Sequence, residues 1–301
     1  MLNIYLDRVC LSVKLLAPNN MVSEYLQDTI VKPPFLHIHR TVELLKKINV
    51  FTELEDMTWL GCRLIDVPVE CYLGKILVFA ILLQCLDPIL TIVGFMSTLD
   101  PFELCHYVND ITDPYRNMIS SKIKEEKERL SESILSDHLV YLRLYQEWQN
   151  DFREEDNSPE LNEYHFTLSG LLEQVCNVRT QLVGSLRSSQ LIHSKGNLSM
   201  HYINLKSNSW PVIKAALVGG MYPNICAVDF NINRIKSPCR REIILHPHSV
   251  LRSIELDSLS SLNFNSPWII YGKEKNGYNC NSVECNTIVT PITVALFAGK
   301  S

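Results

Sequence analysis

The run Ile76-Leu77-Val78-Phe79-Ala80-Ile81-Leu82-Leu83-Gln84-Cys85-Leu86-Asp87-Pro88-Ile89-Leu90-Thr91-Ile92-Val93-Gly94-Phe95-Met96 decides what kind of protein this is. It approaches the length of a membrane span, yet Gln84, Asp87 and Pro88 stand near its middle, where hydrocarbon penalises polar groups heavily. The run therefore predicts two buried helices in place of one span. Enclosing two such helices needs a substantial core, and 301 residues at 46% hydrophobic and 20% charged supply one without disulfides or metals. Ten Cys are scattered without a CxxC spacing, which predicts reduced thiols in a cytosolic or nuclear protein.

Outward from this run, the chain divides by charge. Residues 1–66 carry 7 basic and 8 acidic side chains, residues 67–190 carry 10 and 19, and residues 191–301 carry 11 and 6. The net charge of −5 excludes a protein that coats nucleic acid by bulk charge, so any RNA-facing surface must be local. The three charge blocks predict three units with different jobs.

In the first block, Val22, Leu26 and Ile30 share one helical face, and Phe35, Ile38, Val42, Leu45 and Ile48 another, with Pro33-Pro34 between them. Met57 to Leu64, punctuated by Gly61, suits a two-stranded wing after these helices, hence a winged helix. The second block is helical. Asp87-Pro88, Asp100-Pro101, Asp113-Pro114 and Ser158-Pro159 each pair an N-cap residue with a proline at the first helical position, where no intrahelical N–H bond is lost. Leu168, Leu171, Leu172, Val175, Val178, Leu182, Val183 and Leu186 trace an amphipathic helix over five turns, and Lys122 to Arg129 reads as a solvated helix face. The third block turns to short β-rich runs at His201–Leu205, Ile225–Val228, Glu242–Leu245, Trp268–Tyr271 and Ile288–Phe297, with one helix at Trp210–Val218. Such a series suits a small barrel of the OB type. The expected fold is α+β and multidomain: a degenerate winged helix at 1–66, a helical ratchet bundle at 67–190 and an OB-type β-barrel at 191–301.

These same residues resemble the C-terminal auxiliary region of DEAH-box RNA helicases. Val67-Pro68-Val69-Glu70 followed by Gly74-Lys75, then Cys85 to Ile92 with Asp100-Pro101-Phe102, Ser136-Asp137-His138-Leu139 with Trp148, Ala216 to Asn224, His246 to Val250, and Pro267 to Tyr271 resemble the family's successive motifs in order. Arg179 to Gly184 and Val289 to Val294 look most like the germline YTH-domain helicase branch. The resemblance implies a winged helix, a ratchet bundle and an OB-fold, with no metal and no cofactor. Within the insect germline branch it implies a cytoplasmic regulator that joins the bag-of-marbles protein to repress particular mRNAs. Three departures stand out: Cys71 replaces the family's proline after the junction Glu70, Glu103-Leu104-Cys105 replaces its hydrophobic continuation, and Glu284 stands where a basic residue is usual. A carboxylate on an RNA-facing strand repels phosphate.

No catalytic residue is assigned. A phosphate-gripping loop needs a glycine-rich turn before Lys and Ser or Thr. Gly299-Lys300-Ser301 lacks the upstream glycine, Val294 standing there, and Gly74-Lys75 lacks the hydroxyl residue, so this stretch is not expected to hydrolyse ATP. Ser136-Asp137-His138 reads less as a triad than as a helix cap with a locally bonded histidine, because three adjacent side chains do not converge. Cys239, His246, His248, Cys280 and Cys285 fit no compact zinc spacing, and His37 and His39 lie on a helix, where alternate residues diverge. The RNA-binding candidates are Lys236, Arg240 and Arg241 in one loop, and Lys273 and Lys275 flanking Tyr271 and Tyr278 in another, cations beside aromatics as in strand-gripping barrels. Against this stands a solvated loop surface. Two functions follow as alternatives: a platform that binds a protein partner, ranked first, or a single-stranded RNA-binding accessory region.

Overall fold

The computed structural model describes residues 6–30, 32–98, 100–101, 125–131, 135–154, 163–193, 195, 199–229, 234–237, 242–247, 249–253, 268–275 and 281–299. The described residues include ten α-helices: α1 (Leu6–Leu16), α2 (Val22–Gln27), α3 (Phe35–Lys47), α4 (Trp59–Leu64), α5 (Cys71–Leu82), α6 (Leu86–Ser97), α7 (Asp137–Glu154), α8 (Glu163–Ser188), α9 (Trp210–Met221) and α10 (Pro291–Phe297). Five strands accompany them: β1 (Ile225–Asp229), β2 (Arg234–Lys236), β3 (Glu242–Leu245), β4 (Trp268–Lys275) and β5 (Asn281–Val289). One compact unit comprises residues 1–86, 182–223 and 295–301, the other residues 87–181 and 224–294.

In the first unit α1, α2 and α3 pack on Leu11, Val22, Leu26, Ile38, Val42, Leu45 and Ile48, all buried, as the helical spacing predicts. Ile30 lies beyond the end of α2 and is fully exposed, and Phe35 at the start of α3 is exposed too. The expected wing is absent from Met57 to Leu64. A single antiparallel bridge joins Phe51 to Met57, and the chain then enters α4. Thr58 decides this: its hydroxyl accepts from the Gly61 N–H (3.2 Å) while donating toward the Asn49 carbonyl (2.7 Å), an N-cap that closes a helix where a strand was expected. The side chain of Asp7 accepts from the Cys71 N–H (2.6 Å), satisfying one open donor at the start of α5.

Helices α5 and α6 are the two buried helices of the 76–96 run. The break falls at Gln84, whose φ of 60° ends α5 in the left-handed region. Helix α6 begins at Leu86, before the expected Asp87 cap, and Pro88 still sits within the first turn, where its missing N–H costs nothing. Helix α5 packs along α9 at Gly219 and Gly220. A Cβ on Gly220 would stand 2.5 Å from the Ile76 Cα and 2.6 Å from its nitrogen, so backbone meets backbone and only glycine fits.

In the second unit Phe95, Tyr141, Leu144, Tyr145, Leu172 and Val175 from α6, α7 and α8 form one core. The strands close a barrel in the order β1-β2-β3-β5-β4, antiparallel except for the parallel β3–β5 pair, around Cys226, Val228, Ile243, Ile269, Tyr271, Val283 and Ile288. Two runs read as strands are not. His201 to Leu205 forms a short 3₁₀ turn, Tyr202–Asn204, held by the Asn204 amide donating to the Met200 carbonyl (2.8 Å). Ile288 to Phe297 leaves the sheet at Val289, because the Thr290 hydroxyl accepts from the Thr293 N–H (3.3 Å) and Pro291 starts α10. The Asp113 and Ser158 helix starts lie outside the described residues.

Candidate functional site

Among the described residues, the candidate cations Lys236, Lys273 and Lys275 lie on strands. Lys236 is the last residue of β2, paired across the ladder with Ala227 and Glu242. Lys273 and Lys275 are in β4, with Lys273 directly opposite Glu284 of β5 and Lys275 opposite Ser282. Opposed and diagonal side chains on an antiparallel pair interact. Glu284 makes use of this: its Oε1 lies 2.5 Å from the Lys275 Nζ and 3.1 Å from the His246 Nε2. With only 16% of its side chain exposed, Glu284 is held among these groups and is not a freely solvated acid. Arg234 and Glu242 form a further pair across β2 and β3.

Tyr271 is not a stacking platform. It is 6% exposed and lies in the barrel core beside Ile269 and Ile288, opposite Asn286, so the expectation of Tyr271 as an exposed aromatic beside Lys273 and Lys275 is corrected. The alternation of β4 brings Tyr271 onto the apolar interior. Arg240, Arg241 and Tyr278 lie outside the described residues. The structure therefore brings Lys273 and Lys275 together, keeps Tyr271 from them functionally, and supplies Glu284 as their neighbour.

Ser136-Asp137-His138 is a structural fastening at the start of α7. The Ser136 hydroxyl accepts from the Leu139 N–H (3.2 Å), the predicted cap, and meets the Thr287 hydroxyl at 2.6 Å. The His138 Nδ1 is 2.7 Å from the same Thr287 oxygen, and burial pushes the imidazole pKa down to about 3. Asp137, unassigned in the sequence analysis, carries most of the fastening. Its carboxylate accepts from the Ser249 hydroxyl, the Val250 N–H and the Asn286 N–H, each at 2.8 Å. The only sequence signal was its place at a helix start, where a carboxylate is favoured by the open N–H groups. Its partners lie more than a hundred residues downstream.

Other candidate chemistries find no geometry. Lys75 of the Gly74-Lys75 pair is 2% exposed within α5, its amine 5.8 Å above the Phe79 ring, and so cannot grip a phosphate. Cys285 is a half-buried thiol whose pKa is pushed up to about 12, chiefly by desolvation, 3.4 Å from the Tyr141 hydroxyl. A thiol held protonated is a poor nucleophile or ligand. Among the described residues no group of three or more His, Cys, Asp or Glu is arranged to hold a metal ion; Cys239, His248 and Cys280 lie outside them. Among the described residues no helix is long and apolar enough to cross a membrane.

Comparison with known families gives two matches: "Helicase associated domain (HA2), ratchet-like" over residues 70–141, and "Oligonucleotide/oligosaccharide-binding (OB)-fold" over residues 213–301. Neither match is a helicase catalytic domain. Among similar proteins, "Protein benign gonial cell neoplasm" of Drosophila melanogaster is 46% identical over 300 residues, covering 98% of this chain and 24% of that protein. "ATP-dependent DNA/RNA helicase DHX36" of Homo sapiens is 26% identical over 306 residues, covering 98% of this chain and 28% of the helicase. "DExH-box ATP-dependent RNA helicase DExH3" of Arabidopsis thaliana is 26% identical over 300 residues, covering 98% and 23%. The chain thus spans about a quarter of the length of the curated relatives it matches.

Proposed function

We propose, from the premise that this chain belongs to the C-terminal helicase-associated and OB-fold region of the DEAH-box RNA helicase family, that it acts as a non-catalytic adaptor in translational repression of germline mRNAs, binding a protein partner. The single observation that carries the reading is Glu284, set against Lys275 and His246 on the barrel's β4–β5 face and opposite Lys273. A carboxylate in that place competes with phosphate for the very cations an RNA strand needs. The burial of Tyr271 removes the aromatic that would have stacked a base between them. The bundle and barrel remain as a rigid support. On this reading, residues 1–66 are the winged-helix-like unit, 67–190 the ratchet bundle and 191–301 the OB-fold. The partner is the bag-of-marbles protein, and the work is done in the cytoplasm.

A second reading, a single-stranded RNA-binding accessory region of an active helicase, is favoured by the OB-type barrel and by the exposed Lys273 on β4. The two are separated by titrating labelled single-stranded RNA into the protein at low and high salt while testing co-purification with the bag-of-marbles protein. Partner capture with weak, salt-erased RNA binding is the expected result. Tight RNA binding without capture reverses the order.

A further inference from the structure

The Glu284 carboxylate on the barrel is shared between two nitrogen bases of different kinds. The parallel register of β3 on β5 sets Leu245 beside Val283, and the N–H of His246, one residue past β3, donates to the Val283 carbonyl (3.0 Å). That bond holds the imidazole next to Glu284, with the His246 Nε2 3.1 Å from Oε1. Strand β4 brings Lys275, diagonal to Glu284 across the ladder, and its Nζ lies 2.5 Å from the same oxygen. Oε1 is buried and has no well-aligned hydrogen bond among the described residues, which leaves it open to a further donor.

A proton on His246 changes what this oxygen holds. The protonated ring carries a hydrogen on Nε2 whichever nitrogen bore it before. An imidazolium at 3.1 Å offers Glu284 the same charge as the Lys275 amine, and Lys275, 48% exposed, has solvent to turn into. Histidine is the side-chain type whose charge changes between about pH 5 and about pH 8. The other titratable or charged groups around this cleft are Asp100, Lys127, Asp137, Tyr141 and Cys285, with Lys273 opposite Glu284 and Arg252 donating to the Leu245 carbonyl (3.2 Å). Carboxylates, lysines and arginines ordinarily keep their charge across that range. Desolvation raises the Tyr141 hydroxyl and the Cys285 thiol far above neutrality, so neither changes charge there.

We propose that His246 makes the phosphate affinity of the β4–β5 face pH-dependent: once protonated, it takes Glu284 over from Lys275 and frees that lysine for the phosphates of a single-stranded RNA. This regulation rests on the reading that Glu284 closes the face, and adds the condition under which the face reopens. A phosphate on Lys275 would stand roughly 8 Å from the imidazolium, the two contacts to Oε1 plus one further hydrogen bond, and the attraction tightens binding by about 2-fold in bulk water and about 30-fold at an effective dielectric of 20.

The test titrates oligouridylate, whose phosphates and bases do not ionise in this range, into the wild type, His246→Gln and Glu284→Gln at about pH 6 and about pH 8 and one fixed low salt concentration. Binding is read by fluorescence anisotropy, and folding by circular dichroism at both pH values. The wild type is expected to bind about 2-fold to about 30-fold tighter at the lower pH, His246→Gln equally at both, and Glu284→Gln tightly at both with little pH response. A response that His246→Gln keeps in full, or no response in the wild type, refutes the switch; closure by Glu284 still stands if Glu284→Gln binds tighter than the wild type at the higher pH. A full response in Glu284→Gln makes His246 a direct phosphate contact and refutes the handover. Glu284→Gln binding no tighter than the wild type at the higher pH refutes the closure reading and the switch together. Proton uptake by the wild type on binding oligouridylate, measured by calorimetry in buffers of different ionisation heat, reads the same coupling without a variant; no uptake overturns it.

Discussion

Replacing Glu284 by Gln removes one negative charge from the barrel face without changing side-chain size. In the wild type, Lys275 and His246 are 2.5 and 3.1 Å from the Glu284 oxygen, and Lys273 faces it across the ladder. A phosphate approaching Lys275 would stand roughly 5 Å from that carboxylate, a repulsion of about 0.8 kcal/mol in bulk water and about 3 kcal/mol at an effective dielectric of 20. Removing it should tighten single-stranded RNA binding by about 4-fold to about 100-fold, the range set by how far solvent penetrates the face. Freeing one or two lysines for phosphate should also steepen the log–log salt dependence by about 0.7 for each phosphate gained. The assay is anisotropy titration of oligouridylate at several salt concentrations. Because Lys275 is 48% exposed but Glu284 only 16%, urea unfolding of the variant is measured alongside, so that a change in affinity is read on a folded protein. Unchanged affinity together with an unchanged salt slope would refute the claim that Glu284 closes this face to RNA.

Three further outcomes are expected. Asp137→Ala leaves the Ser249 hydroxyl and the Val250 and Asn286 N–H groups without their acceptor in a buried site, and should cost about 3–5 kcal/mol in urea unfolding; a loss under 1 kcal/mol would sink the fastening role. His138 is held neutral in the fold by burial, with its pKa near 3, whereas the unfolded imidazole titrates near 6.5. The unfolded chain therefore binds the extra proton between these values, so stability is full above about pH 6.5 and falls toward pH 3 by up to about 1.4 kcal/mol per pH unit, a slope that His138→Gln should flatten. Lys75→Met should raise stability by about 1–3 kcal/mol, because the amine is buried with its pKa lowered by desolvation and has no hydrogen-bond partner among the described residues; a fall in the melting temperature would contradict this.

What sequence could reveal followed the range of the interaction. The two buried helices of 76–96 were legible because the interruption at Gln84 is local, and the Ser136 cap because its bond to Leu139 spans a single turn. The start of α10 was equally local: Thr290-Pro291 carries the cap-and-proline signature used for Asp87-Pro88, and the β-branched run around it drew the reading toward a strand. The wing failed for a similar reason, since Thr58 acts as an N-cap within a stretch whose glycine suggested a turn. By contrast, the bonds from Asp137 to Ser249 and Asn286 span 112 and 149 residues, and no spacing rule reaches that far. Tyr271 was misjudged because strand periodicity says which residues share a face but not which face is inside. Glu284 is marked in the sequence as a carboxylate where a basic residue is usual, but its contacts with Lys275 and His246 cross strands and are visible only in the structure.

The roles of the matched and departing residues explain why agreement with a helicase family carries the fold further than the function. Residues in the quoted family motifs are here engaged in packing: Ser136 bonds Thr287 of β5, Asp137 bonds Ser249, Val250 and Asn286, Gly219 and Gly220 admit α5, and Ile269 fills the barrel. Each makes contacts that any occupant of the fold requires, whatever the surface binds. Glu284, in contrast, departs from the pattern at a position where the change costs the fold little, because Lys275 and His246 receive it as partner. A surface can therefore lose its attraction for phosphate through one substitution whose charge is met by neighbouring cations. That separation makes the Glu284→Gln measurement decisive for function and the Asp137→Ala measurement decisive for architecture, and it predicts that neither variant will disturb the property tested by the other.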